Sequence, residues 1–412
     1  MSVADRERPA FVVVGGYRYE PAINQPSTQV VRELSRHDRV LNIISEAHGS
    51  LLGPGRVRSM TSEQIARTLV GTTRARRVSE RLWLAPVRGL AAIGPLSSPE
   101  PVRRRTVRML ARVIGDWQRE VGASRCVMLM YWWQLPELIE LVPHVASAYD
   151  CTDEHAAMPG GRLRAQRVLE IEGRMLDAVD HSYVVSEALL QRRAGPGRTI
   201  SVLPNGFDLR QFDAAAADGW QVPAAIRAAR APIVGYAGGI TDRFDWDLVC
   251  EIARRRPEWT FAFVGGDHRD APLAVRRLPN AVFQDAVPYV AALGAISRFD
   301  VGMIPVKVGE FSRGNSFMKL LDYFAHGLPV IAPPLPDTVS VAEATPGSLH
   351  LASGSGEWEA AIAAAIAEPA DSPLRLARRA VVRERSVERR VARIVSDAGA
   401  AAGASPDGAG TG

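Results

Sequence analysis

Residues Phe311 to Asp337 read FSRGNSFMKLLDYFAHGLPVIAPPLPD: a polar Gly/Ser loop, an amphipathic helix, and a Gly-Leu-Pro turn that returns the chain into a buried strand. Loop, helix and returning apolar strand, in that order, make up half of a parallel βαβ unit. Working outward, the same alternation recurs along the chain. Strands are predicted at APIVGYAGG, WTFAFVGG, AVFQ, DVGMIPV and LPVIAPP in the second half. In the first half they are predicted at FVVVG (Phe11 to Gly15), RVLNIIS (Arg39 to Ser45), RLWLAPV, CVMLM, VASAY and HSYVVS. Helical patterns such as PVRRRTVRMLARVIGDWQREV separate them. Short β-branched runs between helical periods predict an α/β fold of two Rossmann-like, doubly wound parallel-sheet domains in tandem.

The seam falls near VLPNGFD (Val202 to Asp208), because Pro204, Asn205 and Gly206 form a turn that continues neither sheet nor helix. The expected organisation is one domain over residues 1–205, a second over 206–371, a helix over 372–398 and a disordered tail over 399–412. The helix, SPLRLARRAVVRERSVERRVARIVSDA, carries an apolar stripe of Leu376, Val381, Val382, Val387 and Val391, and is expected to pack across both domains. The tail has no apolar side chain larger than alanine to bury.

With 412 residues, of which 47% are hydrophobic and 23% charged, the chain has ample material for two globular cores. Cys126, Cys151 and Cys250 are odd in number and widely spaced, which argues against a disulfide framework and against zinc spacing of the CxxC kind. The N-terminus is too short and too mixed in charge for a signal peptide, and no stretch is apolar for long enough to span a membrane. A cytoplasmic protein is expected. The net charge of +5 is modest, but Arg74, Arg76 and Arg77, and Arg103, Arg104 and Arg105, are clustered. Such patches suit peripheral contact with anionic lipid at the inner face of the cell membrane, or a phosphorylated acceptor. Composition bias also produces them on solvated helix faces. The aromatic interleaving of a nucleic-acid groove is missing, so no nucleic acid is expected.

Glycine pairs follow strands three times, at Gly15 and Gly16, Gly238 and Gly239, and Gly265 and Gly266. A strand end without Cβ atoms lets the backbone approach a phosphate, and the helix that follows offers free N–H groups. None completes GxGxxG, which argues against an NAD or FAD enzyme. In the opening segment, the loop from Ser312 to Ser316 can donate N–H and hydroxyl groups at a helix N-terminus. Lys319 there adds positive charge for a pyrophosphate, and Asp322, on the same face, can accept from ribose hydroxyls. The alternative is a surface ion pair between Lys319 and Asp322.

FMKLLDYFAHGLPV resembles the nucleotide-sugar signature of bacterial GT-B glycosyltransferases, Pro-x-Lys-x-x-Glu-Tyr-x-Ala-x-Gly-x-Pro-Val. The similarity continues through VVSEALL, VLPNGFD, IVGYAGGITDRFDWDLV, FAFVGG, LPNAVFQDAVPY and FDVGMIPV, covering most of residues 145 to 340. The resemblance implies a GT-B fold whose two domains face a cleft, with acceptor bound by the first and nucleotide sugar by the second. It implies that Lys319 and Arg243 contact the diphosphate, Asp322 the ribose, and Val287, Tyr289 and Met318 the base and sugar. Gly16, Gly238, Gly239 and Ser316 complete the expected donor site. Retaining family 4 enzymes place a glutamate where this chain has Gly314, and Asp322 replaces their ribose-binding glutamate. The Met318-Lys319 pair is instead similar to inverting glucuronosyltransferases of exopolysaccharide synthesis, which tilts the expectation slightly towards inversion.

A second site is read at YDCTDEH (Tyr149 to His155), after the strand VASAY, at the carboxyl edge where open α/β sheets bind ligands. Similar glycosyltransferases carry Tyr-Asp-Cys-x-Asp-Asp here, matching Asp150 and Asp153, with Glu154 replacing the last acid. Inversion needs a base for the acceptor hydroxyl, and either Asp150 or Asp153 could serve. The alternatives are a buried turn bond for Asp150 and helix capping for Asp153. Asp245-Trp246-Asp247 has the Asp-x-Asp form of a metal site, but it opens a helix and reads as a cap. No histidine group has ligand spacing, so neither metal nor cofactor is expected.

The expected activity is transfer from a nucleoside diphosphate sugar, UDP-sugar favoured, to a lipid-linked saccharide, polysaccharide or natural-product acceptor, with Tyr131, Trp132 and Trp133 shaping the acceptor side. The competing readings are a nucleotide-sugar epimerase on the same fold and a non-catalytic partner of a glycosyltransferase.

Overall fold

The computed structural model describes residues 10–16, 24–45, 74–87, 100–123, 126–158, 161–266 and 271–404. The chain divides into two compact units. The first comprises Met1–Glu20, Gln25–Leu203 and Arg390–Gly412, the second Pro21–Asn24 and Pro204–Arg389. One division therefore falls at the Pro204-Asn205-Gly206 turn.

In the first unit the strands are β1 (Ala10–Gly16), β2 (Val40–Ser45), β3 (Arg76–Arg77), β4 (Leu82–Val87), β5 (Cys126–Met130), β6 (Ala146–Cys151), β7 (His181–Val184) and β8 (Ile200–Val202). They form one sheet in the order β3-β4-β2-β1-β5-β6-β7-β8. All neighbours are parallel except β3, which runs antiparallel to β4. Helix Glu100–Val121 shows how the sequence sets the packing. Val107, Leu110, Val113, Ile114, Trp117 and Val121 recur at helical spacing and are buried. Arg104, Arg105, Arg108 and Arg112 lie off that stripe and are exposed. Trp117 meets Trp83 of β4 edge to face, with ring centroids 5.9 Å apart.

The second unit holds β9 (Ile233–Ala237), β10 (Thr260–Val264), β11 (Ala281–Gln284), β12 (Val301–Met303), β13 (Val330–Ala332) and β14 (Leu349–Leu351). Its sheet is parallel throughout, in the order β11-β10-β9-β12-β13-β14. The side chains alternate between two cores. Ile233, Ala237, Ala262 and Val264 join one, and Val234, Tyr236, Phe261 and Phe263 the other. Strand order reverses between β9 and β12, which is where ligands of open α/β sheets bind.

Some expectations change. β3, two exposed arginines, and the short β14 were not among the predicted strands. The basic C-terminal helix is two helices, Pro373–Glu384 and Val387–Ala404, because Ser386 leaves the helical path to pair with Phe207. The second continues to Ala404, so residues 399–404 of the expected tail are helical, while 405–412 lie outside the described residues. Leu376 is 66% exposed and leaves the apolar stripe, whereas Val382, Val387 and Val391 are buried.

β12 and the helix Met318–Ala325 pack closely because residue 302 is glycine. A Cβ there would lie 2.5 Å from Tyr323 Cδ2. Gly302→Ala should therefore destabilise the protein by about 1–3 kcal/mol, read as a lower urea midpoint at unchanged slope. An unchanged midpoint would show that the ring can move aside freely.

Candidate functional site

In the second unit the expected donor residues gather at the carboxyl end of β9. Gly238, with φ of +145°, takes a conformation side chains rarely adopt, and a Cβ on it would lie 3.0 Å from Lys319 Cε. Lys319 Nζ lies 5.3 Å from the centroid of the Tyr236 ring, and the Tyr236 hydroxyl donates to the Gly239 carbonyl at 2.7 Å. Gly265, of the next glycine pair, abuts Gly238: a Cβ there would lie 2.5 Å from the Gly238 oxygen. The structure thus joins Gly238, Gly239 and Lys319 at the strand-order switch, where a phosphate gains backbone proximity and positive charge together.

Asp322 sits one turn along the helix Met318–Ala325 and accepts from the Tyr289 hydroxyl at 2.7 Å. Lys319 and Asp322 thus have separate partners instead of the surface ion pair weighed above. Burial pushes the Asp322 carboxyl up to about 6, against the opposing pull of the Tyr289 hydrogen bond and the Lys319 charge. Val287 is partly buried and packs against the core cluster that includes Tyr289. Arg243 stands over the Phe311 ring, 3.9 Å from its centroid, and its carbonyl accepts from Lys307 N at 2.8 Å. Ser316 is buried, Met318 is half-buried, and Phe317 caps the helix without a side-chain bond. Gly16 closes β1 in the first unit, beside Gly15, where a Cβ would meet Trp132 N at 2.6 Å.

The acids of YDCTDEH have different fates. Asp150 is fully buried, and both of its oxygens accept from Arg390 Nη2, at 2.6 and 2.5 Å. Arg390 Nη1 also donates to the Leu203 carbonyl. A carboxylate committed in this way, with no exposed surface, is not placed to take a proton from a substrate. Glu154 is buried between Arg193, at 2.6 Å, and Arg192, at 2.9 Å; burial works to raise its pKa, but these partners hold it below the ordinary value. Asp153 is half-buried, with Thr152 Oγ1 3.4 Å from Oδ2. The short helix that follows, His155–Ala157, has Glu154 at its N-cap and no side-chain cap bond, so Asp153 does not cap it.

Beneath this stretch lies a polar network. Glu172 is fully buried and accepts from Tyr149 Oη at 2.9 Å, Cys151 Sγ at 3.3 Å and Arg193 Nε at 3.0 Å. Burial, with Glu172 beside it, raises the Cys151 thiol. Cys151, His155 and Glu172 bring ligand-type atoms within 4.8 Å of one another. Their donor set would suit a divalent metal, but the glutamate already takes two hydroxyl or thiol protons and an arginine. Glu172 and Cys151 are thus engaged in a hydrogen-bond network that braces the loop bearing Asp153, while His155 Nε2 is buried without a hydrogen-bond partner among the described residues. Asp245, of the Asp-Trp-Asp motif, caps helix Trp246–Arg255 by accepting from Leu248 N at 3.1 Å. Sequence reasoning missed Tyr236, Glu172 and Arg390. Tyr236 stood in a recognised strand, but its pairing with Lys319 exists only in the fold.

The two parallel-sheet units carry the GT-B fold. Sucrose-phosphate synthase from Thermosynechococcus elongatus matches at TM-score 0.67 and 16% identity, covering 96% of this chain and 100% of that one. The α,α-trehalose 6-phosphate synthase of Burkholderia multivorans matches at 0.67 and 12%, covering 96% and 100%. Anabaena HepE, solved in complex with UDP and glucose, matches at 0.60 and 13%, covering 93% and 99%. Among curated proteins, "Putative teichuronic acid biosynthesis glycosyltransferase TuaH" of Bacillus subtilis (strain 168) is 25% identical over 232 residues. That match spans 53% of this chain and 57% of the relative, a little over half its length. No protein-family model matches the chain. No helix among the described residues is long and apolar enough to cross a membrane.

The titration of Asp322 is directly observable. Carboxyl carbon shifts should give it a midpoint near 6, and Tyr289→Phe should move that midpoint upward, since the lost hydrogen bond favours the charged form. A midpoint near the ordinary aspartate value of about 3.9 would mean that the carboxyl is well solvated.

Proposed function

We propose that this chain is a glycosyltransferase that takes its sugar from a UDP-sugar bound in the second unit. The observation that carries the reading is the convergence of Gly238, Gly239, Lys319, Asp322 and Tyr289 at the strand-order switch. Each supplies what a nucleoside diphosphate needs: close backbone, a cation against the diphosphate, and a carboxylate for the ribose hydroxyls. HepE, of the same fold, binds UDP and glucose, and TuaH bears a glycosyltransferase name; both support the reading.

The reaction is displacement at the sugar carbon. An acceptor hydroxyl attacks, its proton passes to Asp153, and the bond to the UDP oxygen breaks as UDP leaves. Lys319, Arg243 and the N–H groups of Met318 and Lys319 meet the charge that develops on the diphosphate, so no metal is required. Asp153 is chosen over Asp150 because its carboxylate is half-buried, whereas Asp150 is sealed against Arg390. A single displacement inverts the anomeric carbon, and glycine at position 314 supports this outcome by removing the acid found there in retaining enzymes.

The acceptor is a saccharide or polysaccharide, lipid-linked in the first instance. The exposed arginines 104, 105, 108 and 112 of helix Glu100–Val121 support contact with anionic headgroups at the membrane surface.

A thermal-shift panel of nucleotide sugars tests the donor. UDP-glucose at a hundred times its Kd should stabilise the native protein by about 2.7 kcal/mol. Lys319→Ala should abolish the shift; a shift that survives this change places the diphosphate elsewhere. Asp322 must shed its proton to accept from ribose, so UDP-glucose affinity should fall about tenfold from pH 7 to pH 5, through the midpoint near 6. Asp153→Asn should lower turnover by about 10²–10⁴ while leaving donor affinity intact.

A further inference from the structure

The peptide group joining Ser316 to Phe317 is held at both of its edges. Its carbonyl accepts from Asn205 Nδ2 at 3.0 Å, and its N–H donates to Asp337 Oδ2 at 3.0 Å. Asp337 Oδ1 is paired in turn with Arg385 Nη1 at 3.2 Å. Asn205 and Asp337 are only 4% and 6% exposed. This pinned peptide immediately precedes the helix Met318–Ala325, in which Leu320 N bonds to the Phe317 carbonyl at 3.0 Å. Phe317 offers no side-chain oxygen, so the N–H groups of Met318 and Lys319 receive no acceptor from the cap.

We propose that Asn205, Asp337 and Arg385 are positioning residues for the diphosphate of the donor, acting through the Ser316–Phe317 peptide; this rests on the nucleotide reading given above. Peptide planes are rigid, so with this one held at both edges and the next tied through the Phe317 carbonyl to Leu320 N, the N–H groups that follow are restrained in direction. Those two groups are the helix-terminal donors available to an anion.

Two observations favour a role towards a ligand over simple packing. Asn205 Oδ1 is buried and finds no donor among the described residues, a cost that an apolar residue of similar size would avoid. Arg385 has an electrostatic task as well. A bare carboxylate at the start of this helix would compete with a diphosphate for its positive end, and the Arg385 charge cancels that of Asp337. The clamp thus holds the helix start without spoiling it for an anion.

Binding of UDP by calorimetry and of uridine by ligand-observed NMR tests the proposal, since uridine lacks the diphosphate. Asn205→Ala, Asp337→Ala and Arg385→Gln should each weaken UDP by about tenfold, the scale on which outer-shell partners act at other sites, with uridine changed less than about twofold. Asp337→Asn combined with Arg385→Gln should restore most of the UDP affinity, because it removes the uncovered charge yet keeps an acceptor for Phe317 N–H. This double variant decides the matter if Asp337→Ala fails to fold. Equal weakening of UDP and uridine, unchanged UDP affinity in the folded single variants, or no recovery in the double variant would overturn the proposal. If the unaltered protein binds neither ligand, the nucleotide reading falls, and this inference falls with it.

Discussion

Lys319 lies close against the backbone at the end of β9, where residue 238 is glycine. A Cβ there would press on the lysine stem at 3.0 Å, and the backbone, at φ of +145°, is one that side chains rarely adopt. Around that gap the other parts fall into order. Tyr236 offers its ring to the ammonium group and its hydroxyl to Gly239. Tyr323 seats over Gly302, and its hydroxyl accepts from Ala237 N at 2.9 Å, fixing the lysine-bearing helix against the strand end. A glycine at one strand end thus lies beside the place where one positive charge stands, and that charge is what the proposed diphosphate site depends on.

The first unit solves a different problem, that of keeping several charges behind the loop that bears Asp153. Asp150, Glu154 and Glu172 are all buried, and each is matched by arginine: Arg390 for the first, Arg193 for the other two. Buried ion pairs contribute little net stability, but breaking one by removing a single partner is expensive, about 3–5 kcal/mol. Their value here is geometric. They hold β6 and the turn after it in one arrangement and leave Asp153 as the acid at the loop with partial exposure.

Much of this was legible in the sequence because strand cores are written in apolar runs. FVVVG, CVMLM and TFAFV admit little but buried parallel strands, and MKLLDYFA could be placed on a helix with Lys319 and Asp322 on one face. What stayed hidden depended on contacts between residues distant in the chain. β3 has no apolar pattern to betray it, being two exposed arginines at a sheet edge. The break at Ser386 follows from its pairing with Phe207, and the sealing of Asp150 follows from Arg390, 240 positions away. The motif around Asp150 and Asp153 suggested a site but left its two acids equal candidates. Burial separates them, sealing Asp150 and leaving Asp153 partly exposed.

The most direct test is a crystal structure of the chain with UDP bound. The account predicts the diphosphate at the N–H groups of Met318 and Lys319 with Lys319 Nζ against it, and a ribose hydroxyl on Asp322. Nucleotide bound away from the end of β9, or seated there with Asp322 still turned only to Tyr289, would contradict it.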